Sequence, residues 1–171
     1  MTVDASTGLD LWTTFTARAE LLGTAVVRAD TEAAVAHLLG EARHVALTAS
    51  AATRYPALAR EFVPVGEASQ EVAAVAPFAV AETGSLALNE TRADRGACFL
   101  ADRLWLLVPH DQLLETIDQA FARLAELIRA GARHPLLMSG PSRTADIERV
   151  LTVGVHGPRS VVAIIVNSTV R

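Results

Sequence analysis

The chain has 171 residues, a formal net charge of −4 and a pI near 5.7. Hydrophobic residues make up 51% of it, which predicts one domain with a sizeable core and argues against extended disorder. The acidic balance argues against a nucleic-acid partner, and no apolar run is as long as a membrane span. No signal segment opens the chain, so a soluble, cytoplasmic protein is expected.

Two residue types limit the chemistry further. The only cysteine, Cys98, excludes an intrachain disulfide and an iron–sulfur cluster held by this chain alone, because common clusters need about four thiolates. Placed between Ala97 and Phe99, it is expected to be buried and inert. All fifteen basic residues are arginine, which removes Schiff-base chemistry and the P-loop lysine. The histidines lack metal-ligand spacing, and there is no Gly-x-Gly-x-x-Gly fingerprint, so neither a metal nor a dinucleotide is expected.

The first half alternates helical and extended patterns. Residues 1–9 are expected to be a flexible N-terminus, and residues 10–171 a single domain. Apolar spacing and capping residues predict the helices, and short apolar runs predict the strands. The predicted helices are 10–22, 30–42, 50–61 and a weak one at 69–75; the predicted strands are 24–28, 44–48 and 62–65.

The second half continues the alternation. The long apolar helix is expected to end at Gly131, and a further helix is expected after Gly140-Pro141, capped by Ser142 or Thr144. The predicted elements are a β-like run at 78–89 broken at Glu82-Thr83-Gly84, one or two helical turns at 94–100, a strand at 104–108, a helix at 111–130 with Phe121 and Ile128 among its inward residues, a strand at 134–138, a helix with Asp146 and Glu148 near its start, and a strand at 161–166.

Alternating strands and helices predict a mostly parallel, Rossmann-like α/β sheet with helices on both faces. Ligands of such sheets bind beyond the carboxyl ends of the strands. Polar residues placed there by the predicted elements are expected to converge on one edge. They are Asp30, Ser50, Glu82, Thr83, His110, Asp111, Ser139, Ser142 and Arg143.

Glu82 is the strongest single candidate for a functional residue. A carboxylate between apolar strand segments and beside Gly84 is costly unless it is paired or functional, so we expect it to be partly buried. It is the candidate catalytic residue, with Thr83 and Gly84 in the same ligand site. The alternative is a structural ion pair between Glu82 and Arg143 or Arg159.

The turn after the strand at 134–138 is a candidate anion site. An arginine can bind a carboxylate or phosphate with two hydrogen bonds, and the N–H groups at a helix start add to it. The alternative is a helix cap with a surface ion pair. The residues assigned to ligand binding here are Ser139, Gly140, Ser142, Arg143, Thr144, His156 and Arg159. For His156 the alternatives are an acid–base group and a residue that fixes the loop by hydrogen bonds, and the structural role is favoured.

Two motifs carry a resemblance to a known family. The first is Ala81-Glu82-Thr83-Gly84-Ser85-Leu86. The second has two parts close together in the chain, Gly140-Pro141-Ser142-x-Thr144-Ala145-Asp146 and Gly154-Val155-His156-Gly157-Pro158. In this order they resemble the LutC/YkgG family of lactate utilisation proteins, which is built on the LUD domain. The resemblance covers about the last half of the chain and implies a fold related to glucosamine-phosphate and ribose-phosphate isomerases and CoA transferases (NagB/RpiA-like).

The resemblance also implies a function. The implied function is that of the cluster-free accessory subunit of an iron–sulfur complex that oxidises L-lactate to pyruvate. The clusters would lie in partner subunits. This chain would bind a small carboxylate or a partner at the strand carboxyl edge. Two alternatives stay open: a free-standing isomerase- or CoA-transferase-like enzyme that uses Glu82, and a non-catalytic scaffold.

Overall fold

The computed structural model describes residues 5–42, 44–66, 69–141, 143–145, 151–153 and 157–167. The helices are α1 (Ala5–Leu21), α2 (Glu32–Gly40), α3 (Ala49–Arg54), α4 (Arg92–Leu100) and α5 (Ile117–Arg129). The strands are β1 (Thr24–Ala29), β2 (Val45–Leu47), β3 (Val63–Pro64), β4 (Glu71–Val75), β5 (Ala79–Val80), β6 (Ser85–Leu88), β7 (Arg103–Pro109), β8 (Leu113–Leu114), β9 (Leu136–Met138), β10 (Arg143–Ala145), β11 (Leu151–Val153) and β12 (Ser160–Val166).

The main sheet has six strands in the order β1-β12-β7-β4-β2-β3, and every neighbouring pair is parallel. Two of its interior strands, β7 and β12, are buried along almost their whole length. Burial on both faces explains why these strands are continuous apolar runs rather than alternating ones. The predicted fold class, a mostly parallel Rossmann-like sheet, is confirmed.

A second, smaller sheet lies beside the main one. Its order is β8-β5-β6-β9; β5 and β6 form an antiparallel hairpin, β6 and β9 are antiparallel, and β5 and β8 are parallel. Strands β10 and β11 form a separate antiparallel pair. The β-like run at 78–89, with its break at Glu82-Thr83-Gly84, is therefore confirmed, and the structure shows that its two parts form a hairpin.

The molecule is layered. On one face of the main sheet, α2 and α3 cover a cluster that includes Val35, Leu39, Leu107 and Ile164. On the other face, α1, α4 and the inner side of the second sheet enclose Trp12, Leu86, Leu106 and Ile165 among others. Helix α5 covers the outer side of the second sheet through Ala120 and neighbouring residues. The predicted helices on both faces are present.

The helix predicted over 69–75 is wrong: Glu71–Val75 is β4, a strand between β2 and β7. Alanine favours helices, and two alanines in this stretch misled the local pattern. Burial decides otherwise, because Val72, Ala73 and Ala74 are inaccessible to solvent. Glu71 is satisfied across the sheet, where its Oε2 accepts a hydrogen bond from Trp105 Nε1 at 2.9 Å.

The helix predicted over 111–130 begins later, at Ile117. The preceding Leu113–Leu114 pairs with β5 as a strand. Thr116 and Gln119 form a capping box, in which each side chain bonds the other residue's backbone N–H, and this fixes the start of the helix. Its end is as predicted, because Gly131 has a φ of +102°. Phe121 and Ile128, expected to face inward, are 59% and 57% exposed.

Three other helix predictions need correction. Helix α1 begins at Ala5 rather than at residue 10. The helix predicted over 50–61 ends at Arg54, because Pro56 disfavours helical backbone at Tyr55. The helix predicted after Gly140-Pro141 is wrong where the structure describes it: Arg143–Ala145 is a strand paired with Leu151–Val153. Asp146 and Glu148 lie outside the described residues.

Candidate functional site

The two sequence motifs meet at the carboxyl end of α1. Gly84 has a φ of +64°, and a Cβ at this position would lie 2.5 Å from Ala19 N. Gly140 has a φ of +86°, and its Cβ would press against the carbonyl of Leu22. Both glycines are therefore required by left-handed backbone and by close contact with α1. The conformational role of these residues needs no ligand to explain it.

A chain of hydroxyl groups joins the motifs. Thr83 Oγ1 donates to Ser85 Oγ at 2.8 Å, and Ser85 Oγ lies 2.7 Å from Ser139 Oγ. Ser85 is buried, whereas Ser139 is exposed. The structure thus places two predicted ligand residues, Thr83 and Ser139, on either side of Ser85, a motif residue that was not among the predicted ligand residues. The line of hydroxyls offers hydrogen-bond donors and acceptors to solvent at its outer end.

Glu82 has a different position from the one expected. It is exposed, so the prediction of partial burial is wrong. Its Oε2 accepts a hydrogen bond from the Ile117 backbone N–H at 2.7 Å, at the first residue of α5. A carboxylate at a helix N-terminus is stabilised by the free N–H groups and by the helix dipole. This hydrogen bond offsets the free-energy cost of placing a carboxylate between apolar strand segments. That cost was the reason for proposing Glu82 as the catalytic residue.

Arg159 forms its ion pair elsewhere. Its Nε lies 3.5 Å from Asp102 Oδ1, and both side chains are largely exposed. Both residues immediately precede their strands, β12 and β7, so they lie at the amino edge of the main sheet. The structural alternative of an ion pair between Arg159 and Glu82 is therefore wrong.

The expected convergence of nine polar residues on one edge is also wrong. Helix α1 leads into the amino end of β1, so the motif residues beside it, with Thr83 and Ser139, lie toward the amino edge of the main sheet. The residues that follow main-sheet strands lie at the opposite, carboxyl edge: Asp30, Ser50, His110 and Asp111. The carboxyl-edge rule failed for the motifs because β5, β6 and β9 belong to the second sheet.

Some predicted site residues stay predictions. Ser142 and His156 lie outside the described residues. Arg143 and Thr144 are placed by their backbone in β10.

A buried polar network occupies the carboxyl edge near β2. Glu90, which follows β6, is 8% exposed. Its Oε1 accepts hydrogen bonds from Thr48 Oγ1 at 3.1 Å and from Ser50 Oγ. Asp94 Oδ2 accepts from the Ala49 backbone N–H at 3.1 Å. The network ties the carboxyl end of a main-sheet strand to the second sheet and to α4.

Burial shapes the ionisation of this region. Desolvation raises the pKa of Glu90 and outweighs the hydrogen bonds from Ser50 and Thr48, which lower it. Desolvation also raises the pKa of the Cys98 thiol, and the nearby Glu90 and Asp94 carboxylates add to that effect. Cys98 is fully buried. This confirms the expected burial of Cys98. A buried thiol with a raised pKa is also a poor nucleophile and a poor metal ligand.

Two further residues of the carboxyl edge, His110 and Asp30, have structural partners. The His110 ring stacks on Trp12 at a centroid distance of 5.6 Å, and its carbonyl accepts from Trp12 Nε1 at 3.2 Å. Asn167 Nδ2 donates to Asp30 Oδ1 at 2.6 Å. Within the described ranges, no group of three or more histidine, cysteine, aspartate or glutamate residues is arranged to hold a metal ion. No helix in the same ranges is both long and apolar enough to cross a membrane.

The family model of the LUD domain matches residues 74–166. Lactate utilization protein C of Deinococcus radiodurans is 33% identical over 155 residues, which cover 84% of this chain and 72% of that protein. The protein of the same name from Geobacillus kaustophilus is 33% identical over 65% of this chain and 48% of its own length. YkgG of Escherichia coli is 30% identical over 65% of this chain and 50% of its own length. Apart from the Deinococcus match, the chain therefore spans about half the length of these relatives.

The fold has a close structural counterpart. A DUF162 family protein from Deinococcus radiodurans, known from a crystal structure, superposes with a TM-score of 0.70 over 94% of this chain and 98% of that one, at 22% identity. The chain belongs to the LUD domain family, in its lactate utilisation protein C (LutC/YkgG) branch. The matched residues include both motif glycines and Glu90.

Proposed function

We propose that this chain acts in lactate utilisation as the cluster-free accessory subunit of an iron–sulfur complex that oxidises L-lactate to pyruvate. The observation that carries the proposal is the match to relatives named lactate utilization protein C, together with the LUD domain that spans the second half. The iron–sulfur clusters would reside in partner subunits, because the single cysteine of this chain is buried and cannot supply the thiolates.

An exposed apolar stripe on α5 supports a role as a subunit. Phe121 and Ile128 are seven residues apart, and therefore on the same side of the helix, and both are more than half exposed. Large apolar side chains that project from one helix face are typical of protein–protein contacts. This stripe is the surface through which a partner subunit would bind.

The free-standing enzyme is less well supported. That alternative needs Glu82 as a base or nucleophile, but its carboxylate is the acceptor for the first N–H of α5. A carboxylate that attacks a substrate would have to leave this cap. A scaffold with no ligand remains the alternative to be separated by experiment.

The test is co-purification from a lysate of the native host, with iron analysis of the captured proteins. The expected result is that the wild-type chain captures iron-containing, cysteine-rich proteins, and that Phe121→Ser with Ile128→Ser releases them. Val63→Ser is the matched control, because Val63 is 63% exposed in β3 at one edge of the main sheet, whereas α5 covers the second sheet. Capture of no iron, or turnover of lactate by the isolated chain, would overturn the proposal.

A further inference from the structure

A pocket of about 580 Å³ opens where the second sheet meets α4. Its walls are the connection from β6 to α4, the first turn of α4, and the loop that follows α5. This volume lies within the range of small-molecule sites. None of the motif residues that the structure describes lines it.

The pocket is strongly basic in an acidic protein. Arg92, Arg95, Arg133 and His134 line it, although the whole chain has a net charge of −4. Among the described residues, none of these three arginines lies within ion-pair distance of a carboxylate; the described arginine pairs involve Arg103, Arg123 and Arg159 instead. Guanidinium groups that line one cavity without carboxylate partners favour the entry of an anion.

Among the described residues that line the pocket, Glu90 is the one acid, and its surroundings reduce the repulsion that it would exert on a bound anion. Glu90 lines the pocket, but its Oε1 is held by the hydroxyl groups of Thr48 and Ser50. Burial raises its pKa, which favours the neutral carboxyl. The neighbouring Asp94 is held by the Ala49 backbone N–H and does not line the pocket.

The backbone around the pocket is well anchored. Thr91 caps α4 by accepting a hydrogen bond from Asp94 N–H at 3.2 Å, so the positive end of the α4 dipole lies at the pocket wall. Across the cavity, the N–H groups of Gly131 and Ala132 bond the carbonyls of Ile128 and Leu127, which closes the last turn of α5. Both walls are therefore fixed before any ligand binds, and a preformed site avoids an ordering cost.

We propose that this pocket binds a small molecule that carries at least two negative charges on oxygen, held by Arg92, Arg95 and Arg133. Arginine binds carboxylate and phosphate oxygens with paired hydrogen bonds, and three arginines exceed what one monoanionic carboxylate neutralises. The ligand class is thus a phosphate ester or a di- or tricarboxylate. The inference goes beyond the proposed function, because a site for a polyvalent anion is not a site for lactate itself.

The test measures thermal melting of the full chain at fixed low ionic strength with pyrophosphate, citrate or L-lactate. Wild type should melt higher with pyrophosphate, citrate or both, since a ligand that binds only the folded state stabilises it by mass action. L-Lactate should have the smallest effect. The polyvalent anion that raises the melting temperature more identifies the chemical group that the pocket binds, phosphate or carboxylate.

Arg95→Gln and Arg133→Gln should each weaken the binding of the effective anion by about tenfold or more. Arg133→Lys keeps the charge without the paired hydrogen bonds and should fall between wild type and Arg133→Gln. Arg28→Gln is the matched control, with the same change in net charge on the exposed side of β1, and should bind like wild type.

Three results would overturn the proposal. One is no melting shift with either polyvalent anion. Another is an equal loss of binding in Arg28→Gln and in the pocket variants, which would indicate general charge screening. The third is a larger response to L-lactate than to both polyvalent anions. Because the test uses the isolated chain, its failure leaves the co-purification result unaffected, and the two proposals can fail separately.

Discussion

Gly84 lies against Ala19 so closely that a methyl group on Gly84 would approach Ala19 N to 2.5 Å. The contact joins the turn of the β5–β6 hairpin to the last turns of α1. Neither backbone can move away freely, because Ala19 is fully buried and Gly84 N–H bonds the carbonyl of Val80 at 2.9 Å. The glycine of the first motif is therefore a packing residue.

Gly84→Ala should destabilise the protein by about 3 kcal/mol or more, from left-handed backbone strain and overpacking together. Urea denaturation measures the change. Gly96→Ala is the matched control, since a Cβ there meets nothing within 4 Å in the interior of α4. That substitution should stabilise the protein by about 0.5–1 kcal/mol. Equal effects at both positions would contradict the packing role.

Glu82→Gln tests whether the carboxylate is a helix cap. Glutamine keeps an acceptor for Ile117 N–H but loses the charge that favours the start of α5, so stability should fall by under about 1 kcal/mol. Glu82→Ala removes the acceptor as well and should cost about 1–2 kcal/mol. Chemical denaturation gives both values. Loss of a biological activity in Glu82→Gln with unchanged stability would instead favour a catalytic role.

Thr24 and Thr48 form a matched pair of buried threonines, 1% and 0% exposed. Within the described part of the chain, Thr24 Oγ1 has no hydrogen-bond partner. Thr24→Val should therefore stabilise the protein by about 1 kcal/mol, because it removes an unsatisfied hydroxyl and keeps the shape. Thr48→Val should destabilise it by about 1–3 kcal/mol, since Thr48 bonds Glu90 and caps α3. Melts of the two variants that shift in the same direction would contradict this account.

Glu90→Gln should change how stability depends on pH. The folded-state pKa of Glu90 is raised from 4.5, so the folded protein holds this proton to higher pH than the unfolded chain does. Its contribution is complete below pH 4.5 and is lost as the pH rises through the folded-state pKa. In Glu90→Gln this loss of stability with rising pH should disappear. Urea denaturation across this pH range checks it, with Glu20→Gln on the exposed side of α1 as the control; an unchanged slope in Glu90→Gln would count against the raised pKa.

The sheet class and most strands could be predicted from the sequence, because buried parallel strands leave apolar runs between capped helices. The errors fall where tertiary burial outweighs local pattern. β4 contains two alanines and is a strand only because β2 and β7 pair with it. The residues before Ile117 have helical spacing, yet Leu113–Leu114 pairs with β5.

The site was predicted less well for a physical reason. The motifs were assigned to the carboxyl edge by a rule for a single open sheet, whereas their strands form a second sheet that runs back along α1. The Thr48–Glu90 bond joins residues 42 positions apart, so no local pattern marks it. One signal was available: Glu90 directly follows a buried strand, where a carboxylate needs a partner. The arginines of the pocket are likewise assembled from two distant segments.

The position of β12 has a consequence for how the protein forms on the ribosome. This strand is the last of the described strands in chain order, yet it lies between β1 and β7. A nascent chain that lacks it exposes two unpaired strand edges, which are templates for aggregation. The two halves of the main sheet can then join only after nearly all of the sequence described here has been translated, so premature termination before Ser160 should yield an aggregating fragment rather than a smaller folded domain.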